Sequence, residues 1–79
     1  MNDEKRKEIA KAIATMTNGN VWEKANDDGS IKIIRVYMQP KGYAQIDDDK
    51  VNTNYIPGAK FQAVKDWLVA NEIANIRRA

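Results

Sequence analysis

The chain has 79 residues, of which 43% are hydrophobic and 30% are charged, and its formal net charge is +2. This balance predicts one small folded domain over residues 1–79 and excludes a disordered chain. Cysteine and histidine are both absent, which excludes disulfide frameworks, zinc sites and the commonest nucleophile and acid–base pairs, so we expect a protein that is not an enzyme and needs no cofactor or metal.

The first predicted element is an amphipathic helix over residues 3–17. Apolar residues recur there at helical spacing, namely Ile9, Ile13 and Met16. Asn2 or Asp3 is suited to cap the N-terminus of this helix, and Asn18-Gly19 is suited to end it. Because the segment carries charges of both signs and no long apolar run, it is neither a signal peptide nor a membrane span. We therefore expect a cytoplasmic protein that does not bind a membrane.

Three short antiparallel strands are predicted next, at about 21–25, 31–38 and 43–47. Turn-forming residues separate them, in Asn26–Gly29 and in Gln39–Gly42. These short connections favour a meander. Residues 51–56 are expected to form an extended or irregular connection, with room for one short strand at 50–52.

The last predicted element is a helix that begins at Pro57, because proline is tolerated in a first turn. Its apolar stripe consists of Phe61, Val64 and Leu68, with Trp67 beside them. Ile73 and Ile76 fall out of phase with that stripe, so the helix should end, kink or restart near Asn71. Arg77-Arg78 is expected to be a solvated tail.

This order predicts a two-layer α+β fold, α-β-β-β-α, with both helices on one face of a three-stranded antiparallel sheet. The core is expected to come from the apolar stripes of the helices and from one face of the strands. Its predicted members are Ile9, Ile13, Met16, Val21 or Trp22, Ile34, Val36, Met38, Ala44, Ile46, Phe61, Val64 and Leu68.

The second strand carries apolar residues on both of its faces. Residues of one parity are Ile34, Val36 and Met38, and residues of the other are Ile31, Ile33, Arg35 and Tyr37. A sheet with one covered side should alternate apolar and polar residues instead. A β-bulge at Ile33-Ile34 would account for the switch, because it adds one residue to a strand.

We interpret this second face as a candidate interface. An exposed patch of aromatic, β-branched and arginine side chains is typical of the centre of protein interfaces. An alternative is that these residues only cover a thin sheet, because an exposed strand face also favours β-branched and aromatic residues. The partner would be another protein or a second copy of the chain in a homodimer. The predicted partner-binding residues are Ile33, Arg35, Tyr37, Tyr43 and Trp22.

Three consecutive aspartates, Asp47–Asp49, form an acidic cluster that could be a cation or general-acid site. If Asp47 took the first position of a calcium loop, Asn52 would stand where the loop needs glycine and Gly58 where it needs glutamate. Aspartates also collect in solvated turns. The turn is the better interpretation.

Nucleic-acid binding is the alternative function. The basic residues that could contact phosphates are Lys5, Arg6, Lys7, Lys32, Lys41, Arg77 and Arg78. Acidic residues are interspersed with the basic residues of the first helix, however, and an ordinary solvated helix face is the better interpretation of that mixture.

The predicted element order is similar to that of double-stranded RNA-binding domains. The loop between the first two strands reads NDDGS, where that family carries a Gly-Pro-x-His type loop, and the last helix begins PGAKFQAVK without a lysine cluster. The groove-spanning contacts are therefore missing, and the chain is not assigned to that family. In its size and its lack of cysteine and histidine, the chain also resembles small phage and mobile-element proteins, including anti-CRISPR inhibitors. That resemblance implies an inhibitor or adaptor that occupies the surface of a partner protein.

Overall fold

Two helices and five strands form the fold of residues 1–78, which are the residues that the computed structural model describes. In chain order they are α1 (Asp3–Thr17), β1 (Asn20–Ala25), β2 (Ile31–Tyr37), β3 (Tyr43–Ile46), β4 (Val51–Asn54), α2 (Gly58–Ala70) and β5 (Ile76–Arg78). The strands form one sheet in the order β1-β2-β3-β4-β5. Neighbours are antiparallel except for β4 and β5, which are parallel. The predicted α+β class is confirmed.

The sheet is larger than the predicted three-stranded meander. β4 reads VNTN, and its asparagines, which have low strand propensity, obscure a strand whose Val51 and Thr53 are buried. β5 includes Arg77-Arg78, which the sequence predicts to be a solvated tail. The Thr53 hydroxyl donates a hydrogen bond to the Arg77 carbonyl at 2.8 Å, and the Arg78 guanidinium lies 4.1 Å from the centre of the Phe61 ring. These two contacts hold β5 against β4 and α2.

Both helices have the predicted extent. The Asn2 side chain accepts a hydrogen bond from the Lys5 N–H at 2.8 Å at the start of α1, and Asn18 ends the helix in the left-handed region with φ 54°. α2 follows Pro57 and ends at Asn71. Neither helix has both the length and the apolar character that crossing a membrane would require within residues 1–78.

The core lies between the helices and one face of β2, β3 and β4. Its buried apolar members are Ile9, Ala10, Ile13, Ile31, Ile34, Val36, Met38, Ala44, Ile46, Val51, Ile56, Val64 and Leu68. The predicted members Met16 and Phe61 are only partly buried. The expectation that Val21 or Trp22 is buried is wrong, because both are exposed on β1, an edge strand that the helices leave uncovered.

A bulge in β2 explains the apolar residues on both of its faces, but it does not lie at Ile33-Ile34. Ala25 pairs with Ile31 and Lys24 pairs with Ile33, so the extra residue is Lys32. Ile31 therefore turns to the core, contrary to the prediction that it shares a face with Ile33.

Arg6 and Asp3 of α1 hold the start of β2 beside this bulge. Asp3 Oδ2 accepts a hydrogen bond from the Ile31 N–H at 2.8 Å, and Arg6 Nη1 donates to the Ile31 carbonyl at 3.0 Å. Arg6 Nε donates to the Ile46 carbonyl, also at 3.0 Å. Arg6 is only 4% exposed, and its charge faces Asp3 at 3.4 Å and Asp48 at 3.5 Å. One buried guanidinium thus joins α1 to the ends of β2 and β3.

Replacing Arg6 by methionine should lower the free energy of unfolding by about 2–4 kcal/mol, because two buried carbonyls lose their donors. Urea denaturation monitored by circular dichroism measures this loss. Arg6→Lys is the matched control: it keeps the charge but lacks the planar fork that reaches both carbonyls, so its stability should be intermediate. A methionine variant as stable as the parent would contradict the role of Arg6.

Candidate binding face

The side chains on the face of the sheet opposite the helices form a continuous surface, which we call the open face. Alternate residues of each strand point to it, namely Asn20, Trp22, Lys24, Ile33, Arg35, Tyr37, Tyr43, Gln45, Asn52, Asn54 and Arg77. The structure brings all the predicted partner-binding residues together there, namely Ile33, Arg35, Tyr37, Tyr43 and Trp22. Tyr37 and Trp22 are its exposed aromatic residues, whereas Tyr43 is partly buried.

Arg35 lies at the centre of the open face, between Trp22 on β1 and Gln45 on β3 in the strand register. Its Nε donates a hydrogen bond to Gln45 Oε1 at 2.7 Å, and its Nη1 donates to the Tyr37 hydroxyl at 2.9 Å. The guanidinium carbon lies 4.5 Å from the centre of the Tyr43 ring. Hydrogen bonds along its edge and an aromatic ring against its plane therefore fix this cation in one orientation.

Asp47 orients Gln45 for this contact. Gln45 Nε2 donates to Asp47 Oδ1 at 2.9 Å, and Asn52 Nδ2 donates to Asp47 Oδ2 at 2.6 Å. Because the amide nitrogen of Gln45 is held by Asp47, its oxygen is directed at Arg35. The order of Arg35 thus depends on a chain of hydrogen bonds that crosses β3 and reaches β4.

The open face carries more positive than negative charge, because Lys24, Arg35 and Arg77 lie on it with one carboxylate, that of Asp47. Within residues 1–78, the ion pairs involve none of Lys24, Arg35 and Arg77. The hydrogen bond to Tyr37 raises the pKa of Arg35 above its usual value, and partial burial opposes that rise only in part. Arg35 is therefore a cation at neutral pH.

A hollow of about 360 Å³ lies beside Tyr43 on the open face. The amides of Gln45, Asn52 and Asn54 line it together with Arg77. Each amide can both donate and accept hydrogen bonds. The hollow therefore extends the surface around Arg35 with groups that can satisfy the polar atoms of a bound partner.

The aspartate cluster is divided among separate contacts. Asp47 belongs to the open-face network, Asp48 faces Arg6 at 3.5 Å, and Asp49 faces Lys50 at 3.5 Å. Across residues 1–78, acidic side chains are nowhere grouped as a metal site requires. These contacts agree with the interpretation of Asp47–Asp49 as a structural turn.

The residues of the nucleic-acid alternative do not form one surface. Lys5 and Lys7 lie on α1, on the other side of the sheet from the open face, and Arg6 is buried among its hydrogen bonds. Lys32 lies in the bulge and Lys41 in the β2–β3 turn. Arg77 and Arg78 point to opposite faces, because neighbouring residues of a strand alternate.

Asp47, Asn52 and Asn54 belong to the open face but are absent from the predicted site. The asparagines were missed because β4 was expected only as a fragment at 50–52, so nothing placed them beside Tyr43 and Gln45. The alternation of buried Val51 and Thr53 with the two asparagines is the signal that could have placed them.

No protein-family model, curated protein or solved structure matches the chain. The chemistry of the open face is therefore what indicates the function. What that face offers is a fixed cation, aromatic rings and amides, which are groups suited to binding by shape, charge and hydrogen bonds.

Replacing Asp47 by alanine should loosen Arg35 without touching it, because Gln45 loses the group that orients it. We expect the Arg35 Nε–H to exchange with solvent about tenfold faster, as the loss of roughly one hydrogen bond implies. Side-chain ¹H–¹⁵N NMR measures this exchange. Asp49→Ala, which removes a carboxylate of the same turn away from the open face, should leave it unchanged. Equal exchange in both variants would show that Asp47 does not order Arg35.

Proposed function

We propose that this chain is a non-enzymatic protein-interaction module that binds its partner through the open face. It would act as an inhibitor or adaptor by occupying a partner surface, as small phage and mobile-element proteins do. The observation that carries the proposal is the arrangement around Arg35. Its guanidinium is ordered by hydrogen bonds and by an aromatic ring, and it forms no ion pair with a carboxylate within residues 1–78.

The arrangement of Arg35 reduces the cost of binding. An arginine that becomes ordered only in a complex loses side-chain entropy at that moment, and this loss opposes association. Here Gln45, Tyr37 and Tyr43 already restrict the guanidinium, so a partner gains its contacts at a smaller entropic cost. Arginine, tyrosine and tryptophan are also the residues that contribute most to binding energy in protein interfaces.

The charge of the open face indicates the chemistry of the partner. Lys24, Arg35 and Arg77 supply positive charge, and Asp47 is engaged with two amides. An acidic surface would complement this charge, with a carboxylate at the free N–H groups of Arg35 and apolar side chains over Trp22. The aromatic rings would supply contact area at low conformational cost.

A single-stranded nucleic acid is the second candidate, and the same face supports it. The exposed rings of Trp22 and Tyr37 lie beside Lys24 and Arg35, and aromatic rings next to cations are the usual platform for stacked bases. The guanidinium of Arg35 already lies over the Tyr43 ring, which leaves less ring surface for a base. This occupancy favours the protein partner.

Replacing both Arg35 and Tyr37 by alanine should abolish capture of the partner and leave the fold intact. The matched control is Lys65→Ala/Tyr55→Ala, which removes an exposed cation and an exposed tyrosine that lie outside the strands of the open face. We expect quantitative mass spectrometry of pull-downs from the native host to find a protein retained by the parent and the control but lost with the open-face variant.

Hydrogen exchange of the captured complex should then show protection on β1, β2 and β3. Protection confined to the helices would contradict the proposal, and so would a partner that is retained equally by both double variants. If the open-face variant unfolds, Arg35 and Tyr37 serve the fold, and the proposed role is wrong.

Titration with single-stranded and duplex oligonucleotides at two salt concentrations tests the second candidate. Phosphate contacts release counterions, so true binding should weaken steeply as salt increases. Oligonucleotide binding at low salt by the parent, but not by the Arg35→Ala/Tyr37→Ala variant, would favour nucleic acid over protein as the partner. The absence of binding at low salt would eliminate this candidate.

A further inference from the structure

The two edges of the sheet differ in how well they are protected. β5 forms one edge with the short segment Ile76–Arg78, whose arginines discourage the addition of another strand. β1 forms the other edge with six residues, all of them exposed. Val21 is 45% exposed on the helix side of β1, and Trp22 is 43% exposed on the open face. β1 is therefore an accessible strand edge with apolar residues on both faces.

The alternation of hydrogen-bonded and non-hydrogen-bonded residue pairs in the sheet, which we call its hydrogen-bonding phase, can be read from the β2–β3 turn. The Met38 N–H donates to the Gly42 carbonyl at 2.9 Å, and these two residues lie opposite each other if the register of Val36 with Ala44 is continued. Bonded and non-bonded pairs alternate in antiparallel sheets, so Val36 also directs its peptide groups at β3. Arg35, one residue earlier, directs its N–H and C=O groups at β1.

This phase determines which peptide groups of β1 face the free edge. Trp22 lies opposite Arg35 and therefore bonds to β2. Val21 and Glu23, on either side of Trp22, direct their N–H and C=O groups outward, where the sheet supplies no strand to receive them. A strand added at this edge would bond to these residues.

We propose that the added strand is β1 of a second copy, paired antiparallel about a two-fold axis through Trp22. An antiparallel pair between identical strands is isologous: both copies use the same residues, and each donates its N–H groups to the C=O groups of the other. Such a pair is complete with two copies. Pairing β1 with the basic, three-residue β5 of another copy would instead generate an open chain of molecules and leave much of β1 unpaired.

The charges of β1 select this register. An axis through Glu23 would place Glu23 opposite its own copy, and an axis through Lys24 would do the same for Lys24, which destabilises a strand pair. An axis through Val21 would place Glu23 opposite Gly19, which lies outside the strand. The axis through Trp22 places Val21 of each copy opposite Glu23 of the other, without opposing like charges.

This register also places the aromatic side chains favourably. The outward peptide groups of Val21 and Glu23 would form the bonded pairs, so the two Trp22 residues would meet in the non-bonded site between them. Side chains approach most closely at such sites, where aromatic pairs stabilise antiparallel strands. The dimer would join the two sheets into one and present two open faces side by side, which would raise avidity for a repeated partner.

Glu23→Pro tests the edge, because it removes an outward N–H and leaves the bonds between β1 and β2 in place. Glu23→Ala is the matched control, since it removes the same side chain but keeps the N–H. In sedimentation equilibrium we expect a dimer for the parent and the alanine variant, and a dissociation constant at least about tenfold higher for the proline variant. A parent that remains monomeric at about 1 mM would overturn the proposal and leave β1 for a strand of another protein.

Cysteine scanning tests the register, because the chain has no cysteine of its own. In a buffer of reduced and oxidised glutathione, Trp22→Cys should yield a disulfide-linked dimer, since the two substituted residues would face each other. Val21→Cys and Lys24→Cys should remain unlinked, because each would face a different residue of the second copy. Cross-linking at either of these positions instead of at Trp22 would overturn the proposed axis.

The Arg35→Ala/Tyr37→Ala variant separates this proposal from the proposed function. Its β1 edge is intact, so it should remain a dimer even though partner capture is lost. A variant that becomes monomeric would show that copies associate through the open face, and the edge pairing would be wrong. Loss of the dimer in Glu23→Pro with partner capture retained would support both proposals independently.

Discussion

The structure depends on the way that α1 holds the first residue of β2. Ile31 lies where β3 has already ended, so its peptide groups have no neighbouring strand on that side. Asp3 and Arg6 take the place of that strand, accepting from the N–H and donating to the carbonyl. Burying a charge to satisfy backbone groups is costly unless every donor finds an acceptor, and Arg6 also bonds to Ile46 and faces Asp48. The result is a polar contact, which we call the Arg6 joint, within the otherwise apolar interface between α1 and the sheet.

The Arg6 joint also affects the open face, on the opposite side of the sheet. Because Ile31 is drawn toward α1, the bulge at Lys32 absorbs the change of face, and the rest of β2 resumes its alternation. Arg35 is therefore placed away from the helices, in the middle of the sheet. A strand without the bulge would have to expose Ile31 or turn Arg35 into the core, where its charge would lack a partner.

The open face and the β1 edge share one origin, which is the small size of the helical layer. Two helices cover β2, β3 and β4 on one side only and leave every residue of β1 exposed. A domain of this length cannot bury every apolar side chain that its strands carry. The residues left outside are not scattered, because Trp22 lies next to Arg35 across the sheet and also next to the free edge. One tryptophan thus belongs to both proposed surfaces, whereas Arg35 and Tyr37 belong to the open face alone and the outward peptide groups of Glu23 to the β1 edge alone.

By itself, the sequence determined the two helices, the first three strands and the aromatic, isoleucine and arginine side chains of the open face, because helical spacing, turn residues and strand alternation are local properties. It placed β4 only as a possible short strand at 50–52, because the asparagines of β4 have low strand propensity. It missed β5, because that strand forms only by pairing with β4, about 25 residues earlier in the chain. It also misplaced the bulge and Arg6. A basic residue on a helix predicts solvent exposure, and only the tertiary structure showed that two strand ends, at Ile31 and Ile46, required the buried donors that Arg6 provides.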